Sequence, residues 1–66
     1  MEIVFNGEPL QVAEAATVAD LLATAGLEGR RVAVELNRSI VPRSRHGQQT
    51  LAPGDRVEVV HAIGGG

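Results

Sequence analysis

One short segment decides what this chain can become. Val18, Leu21, Leu22 and Ala25 recur at the i, i+3, i+4, i+7 spacing that lines one face of a helix. Thr17 stands before them as an N-cap, with Asp20 three residues on as its capping-box partner. Gly26 supplies the left-handed residue that stops the helix, and Leu27 packs back beneath it. Such a helix is only about two turns long and does not persist alone in water. It needs a sheet to cover its apolar stripe. The 66 residues include no cysteine, so no disulfide can staple so small a fold, and no Cys/His cluster suggests a structural metal. An aliphatic core must suffice, and with 44% hydrophobic residues and Phe5 as the one aromatic the supply is adequate.

The flanking segments read as strands. Residues 2–6 alternate, with Ile3 and Phe5 on one face and Val4 on the other. Asn6-Gly7 then suits a type I′ hairpin turn, because both central residues need positive φ. Residues 10–13 form the return strand, with Pro9 near its start or on an edge. After the helix, residues 31–36 place Val32, Val34 and Leu36 on one face, Asn37-Arg38 turns the chain, and Ser39-Ile40-Val41 is a short strand ended by Pro42. Residues 43–50 are polar and aperiodic, a loop with at most one helical turn. Ala52-Pro53-Gly54-Asp55 fits a type II turn. The last strand is 56–61, with Val57 and Val59 inward.

The order β-β-α-β-β-β, with the first and last strands side by side, gives a small mixed sheet packed on one short helix. This is the α+β, ubiquitin-like β-grasp architecture, expected as a single domain over residues 1–66 with 62–66 as a flexible carboxyl-terminal tail.

Composition narrows the function classes. The N-terminus shows no basic region followed by a long apolar run, so no signal peptide is expected. No segment approaches the roughly 20 apolar residues of a membrane helix. A formal charge of −2 and a single aromatic argue against nucleic acid as partner. The expectation is a cytoplasmic protein without membrane or nucleic-acid partners. All six basic residues are arginine, consistent with a GC-rich genome. The lack of lysine and cysteine would also spare an activated carboxyl group from nearby nucleophiles.

The sequence runs from the last strand into Ala62-Ile63-Gly64-Gly65-Gly66. Terminal glycines contribute nothing to packing and lose the most entropy when ordered. What they offer is a backbone thin enough for a narrow channel, and five extended residues reach about 17 Å. A terminal carboxylate delivered that far can be activated by another protein. Activation as an acyl-adenylate provides a leaving group, and sulfur replacing AMP leaves a thiocarboxylate. This chain has no Gly-rich phosphate loop of its own, so ATP must be used by a partner.

Val32-Ala33-Val34-Glu35-Leu36-Asn37, Ile40-Val41-Pro42-Arg43, Gly54-Asp55-Arg56-Val57-Glu58-Val59-Val60 and Gly64-Gly65-Gly66 together resemble the ThiS family. The opening strand with Asn6-Gly7 and the helix start Thr17-Val18-Ala19-Asp20-Leu21-Leu22 fit the same layout, so the resemblance covers essentially the whole chain. It implies a sulfur carrier for the thiazole ring of thiamine, a protein co-substrate and not an enzyme. It further implies that a ThiF-type adenylyltransferase activates Gly66. A cysteine-desulfurase relay or another donor then supplies sulfur, and the thiazole synthase ThiG receives it. Gly66 would bear the adenylate and thiocarboxylate, and Gly65 and Gly64 would form the tail that enters the partner's active site. The chain binds no cofactor or metal in this reading. It departs from the family at Asn37-Arg38-Ser39, where glycine often follows the asparagine.

Other residues give weaker signals. His46 and His61 are isolated and read as solvated or packed, not catalytic. The acidic residues are scattered, and Ser39 and Ser44 have no readable base beside them. Arg38, Arg43 and Arg45 make a basic segment that is either a solvated loop or a docking surface. Val4, Ala33 and Val60 face away from the inward set and form either an apolar docking patch or a surface covered by a loop. The rival functions are a sulfur carrier for molybdopterin synthesis, a ubiquitin-like protein modifier, and a plain interaction module.

Overall fold

The computed structural model describes residues 1–61. Its elements are β1 (Glu2–Phe5), β2 (Glu8–Gln11), α1 (Val18–Thr24), β3 (Val32–Leu36), β4 (Ser39–Val41) and β5 (Arg56–His61), with a 3-10 turn at Arg43–Arg45. The strands form one sheet in the order β2-β1-β5-β3-β4. β1 and β5 run parallel through Val4–Arg56 and Phe5–Val57, and the other neighbouring strands are antiparallel. The helix lays Val18, Leu21 and Leu22 against Ile3, Val34, Val57 and Val59 of the sheet. This is the α+β β-grasp architecture that the sequence pattern predicts.

The first hairpin shows how turn chemistry fixes register. Asn6 and Gly7 both take positive φ, 49° and 85°, so two residues suffice for the turn and Phe5 pairs directly with Glu8. β2 therefore starts two residues before the expected Leu10 and takes in Pro9, opposite Val4. The strand tolerates the proline because it is an edge with only β1 beside it. Next to the closing pair, the Pro9 nitrogen also faces away from β1 and no ladder bond is lost.

The short helix is secured at both ends. Thr17 and Asp20 form the predicted reciprocal capping box. The loop after the 3-10 turn satisfies the remaining first-turn donors. The amide of Val18 bonds the Gln49 carbonyl at 2.9 Å, and that of Ala19 bonds the His46 carbonyl at 2.9 Å. The polar segment 43–50 thus completes the hydrogen bonding of a helix too short to stand alone. Leu51, which continues it, is buried and donates its amide to the Ala16 carbonyl at 2.8 Å. At the other end Gly26 has φ 77°. Gly26 bonds back to Ala23, and Leu27 to Leu22, closing the helix in a Schellman motif.

The turn between β3 and β4 closes on two residues of positive φ, the second of them not a glycine. Asn37 and Arg38 take φ 51° and 74°, and Leu36 pairs with Ser39 around them. Arg38 adopts the left-handed conformation that glycine occupies without strain. The Asn37 carboxamide offsets part of that cost. Its oxygen accepts the Arg56 amide at 2.9 Å, and its NH2 donates to Asp55 at 3.0 Å. Asp55 in turn accepts the Ala52 amide at 2.8 Å, which closes the expected turn with Gly54 at φ 82°.

Candidate functional site

The predicted site residues Gly64, Gly65 and Gly66 lie outside the described residues, as does the whole proposed tail, 62–66. The structure describes the platform from which they follow. β5 is the central strand, flanked by β1 and β3, and it stays regular to His61, opposite Val32. Because β5 is parallel to β1, His61 emerges at the same end of the sheet as the Asn6-Gly7 turn. Central placement makes this a firm anchor: Val57 and Val59 are buried beneath the strand, and β3 holds it through five paired positions.

The outward face of the sheet beside this exit is open. Val60 is 63% exposed, and across the ladder it faces Ala33. Ile40 is also 63% exposed and lies diagonally beside Ala33 on the same face. Val4 and Ala33 are half-buried. Ile40 thus joins the predicted Val4, Ala33 and Val60 on this face. Its alternation with the buried Val41 in β4 was the signal that places it outward.

The same face carries charge. Glu35 and Glu58 sit directly opposite each other across β3 and β5, although no carboxylate pair is evident in the sequence. Arg38 and Arg56 line a shallow depression with them. Like charges in direct cross-strand register oppose sheet formation, so this pair is a local cost of the β3–β5 register. Arg38 lies in the β3–β4 turn, whereas Arg43 and Arg45 lie on the 3-10 turn.

Among the described residues, neither histidine belongs to a reactive cluster. His46 is buried, and its Nε2 lies 3.0 Å from the Val41 carbonyl. A carbonyl oxygen can only accept, so Nε2 carries the hydrogen. With its own carbonyl on the Ala19 amide, His46 ties the 43–50 loop to both β4 and α1. His61 is exposed at the end of β5. Among the described residues no group of three or more His, Asp or Glu side chains is placed to hold a metal ion. No helix among them is long and apolar enough to cross a membrane.

With this geometry in view, the likeness to known proteins is specific. Residues 2–66 match the family model described as the ThiS family. The chain belongs to the ThiS family. It is 33% identical to the sulfur carrier protein ThiS of Escherichia coli over 66 residues, covering all of both chains. The crystal structure of the thiamine biosynthesis protein ThiS from Geobacter metallireducens superposes with a TM-score of 0.86 at 35% identity, again over the full length of both. The thiazole synthase of Paramagnetospirillum magneticum is 44% identical over the whole of this chain. This ThiS-family chain spans only 20% of the length of that enzyme, so the likeness is to a segment of it.

Proposed function

We propose that this chain is a sulfur carrier for the thiazole ring of thiamine, a co-substrate whose working group is the Gly66 carboxylate. The observation that carries the reading is the match to the ThiS family over residues 2–66, which includes the glycines that follow the central strand. In this reading a ThiF-type enzyme uses ATP to convert the carboxylate into an acyl-adenylate, releasing pyrophosphate. Sulfur then attacks the acyl carbon and displaces AMP: hydrosulfide leaves the thiocarboxylate directly, whereas a persulfide from a cysteine-desulfurase relay leaves an acyl disulfide that a thiol cleaves to the thiocarboxylate, the thiol ending as a disulfide. The resulting thiocarboxylate gives its sulfur to a thiazole synthase of the ThiG type.

The fold supports this division of labour. A carrier needs a rigid anchor, a slim terminus and an open surface for its enzymes. β5 supplies the anchor, Gly64-Gly65-Gly66 the slim terminus, and the Val60–Ile40 face the surface. The open apolar face favours a partner-binding role for this side of the sheet over burial by a loop. The resemblance to a segment of a thiazole synthase favours thiazole formation over molybdopterin synthesis as the destination of the sulfur.

The test is ATP–pyrophosphate exchange by a ThiF-type enzyme with this chain as substrate. Exchange is expected with the full chain and is abolished when Gly65 and Gly66 are deleted. Exchange that survives the deletion would overturn the assignment of the carboxylate.

A further inference from the structure

We propose that the thiazole synthase adds an extended strand to the open edge of β5 beyond Asn6, bonding the Val59 carbonyl and the His61 amide. The inference rests on the proposed function and specifies how the partner grips the carrier beside the glycines.

The backbone of β5 alternates its two hydrogen-bonding sides. Toward β3 it uses even-numbered residues: the Arg56 carbonyl accepts from Asn37 at 2.8 Å, and Glu58 and Val60 stand opposite Glu35 and Ala33. Toward β1 it uses odd-numbered positions. Val4 donates to the Asp55 carbonyl at 2.8 Å, and Asn6 to the Val57 carbonyl at 2.9 Å. Beyond that point β1 turns away, and the Asn6 side chain takes its place by accepting the Val59 amide at 2.8 Å. The next groups on this side are the Val59 carbonyl and the His61 amide. No strand among the described residues lies beside them, although β5 remains regular to His61.

The contrast with the outer edges of the sheet gives this gap its meaning. β2 presents Glu8 and Pro9, and β4 is only three residues long and is followed by Pro42. Charge, proline and shortness are the devices by which edges resist pairing with another chain. The end of β5, Val59–His61, carries no proline and no acidic or arginine side chain, and in the sequence only Ala62 and Ile63 separate it from the glycines. Glycines offer a partner no side chain to read, so main-chain pairing is the recognition available. A thiazole synthase contains a segment similar to the whole of this chain, which favours that enzyme as the partner.

His61→Pro removes the amide hydrogen on the open side while leaving the β3 ladder intact, and His61→Ala controls for the side chain. Affinity for a ThiG-type thiazole synthase is measured for the wild type and both variants. His61→Ala should bind like the wild type and His61→Pro about tenfold more weakly, the loss of one backbone hydrogen bond. Amide exchange on the wild type provides a second reading that needs no variant. The His61 amide should exchange freely in the carrier alone and become protected in the complex. Equal affinity of the two variants, with His61 unprotected in the complex, overturns the inference and leaves the carrier function standing. No binding of the wild type overturns both.

Discussion

The Asn6 carboxamide oxygen accepts a 2.8 Å hydrogen bond from the amide of Val59, 53 residues away in the sequence. One residue thereby performs two tasks. Its backbone takes the left-handed conformation of the first turn, and its side chain extends the β1–β5 ladder after β1 has ended. Asn37 does the same at the opposite end of β5, accepting the Arg56 amide in place of its own diverted carbonyl. The central strand is thus held on each side by the asparagine of a type I′ turn, Asn37 on the β3 side and Asn6 on the β1 side.

Replacing Asn6 with alanine loses the bond to Val59 and puts an ordinary side chain at φ 49°. The expected cost is about 2–3 kcal/mol in urea unfolding. Asn6→Gly keeps the turn and loses only the bond, so it should cost about 1 kcal/mol less. Equal losses for the two variants would remove the turn from the explanation.

Arg38 and Ala15 hold φ of 74° and 63° without being glycine or asparagine. Arg38→Gly and Ala15→Gly should each raise stability by up to about 1 kcal/mol, the relief of the left-handed conformation exceeding the entropy glycine adds to the unfolded chain. In a domain of this size that is a rise in Tm of roughly 4–8 °C, readable by calorimetry. A lower Tm for both would show that these turns are not strained.

His46 should matter for stability and not for chemistry. His46→Ala leaves the Val41 carbonyl without its donor and opens a gap between β4 and α1, at a cost of about 2–4 kcal/mol. At a temperature where the variant is still folded, adenylation by the activating enzyme should continue at a near-normal rate. A folded variant with no adenylation would mean that the histidine has a direct role.

The outward face should behave in the opposite way. Val60→Arg and Ile40→Arg alter side chains that are 63% exposed, so stability should change by no more than about 0.5 kcal/mol. Activation by the ThiF-type partner should nonetheless fall tenfold or more in kcat/KM, read by AMP release. Unchanged kinetics for both variants would leave the face without a role in docking.

Much of this was legible in the sequence, because local rules decided it. The Thr17–Asp20 box, the Asn6-Gly7 turn, the Gly26 stop and the Pro53-Gly54 turn each depend on neighbouring residues alone, and each formed as expected. What escaped depends on contacts between distant residues. Pro9 joined β2 because the turn dictated pairing from Glu8 onward. Glu35 met Glu58 only through the β3–β5 register. The 43–50 loop looked merely polar, yet the carbonyls of His46 and Gln49 cap the helix, which backbone atoms do without a sequence signature. The glycines were conspicuous in the sequence but fall outside the described residues, so their role rests on chemistry and family resemblance.

Whether Gly66 carries sulfur is read by mass spectrometry. The chain is incubated with ATP, a ThiF-type enzyme and a sulfur donor, then treated with a thiol-alkylating reagent and fragmented. Alkylation distinguishes a thiocarboxylate from oxidation of Met1, which adds nearly the same mass, and the absence of cysteine leaves no competing thiol. One alkyl group is expected, on the carboxyl-terminal fragment containing Gly66. An unmodified fragment, where E. coli ThiS is alkylated under the same conditions, would contradict sulfur carriage by Gly66.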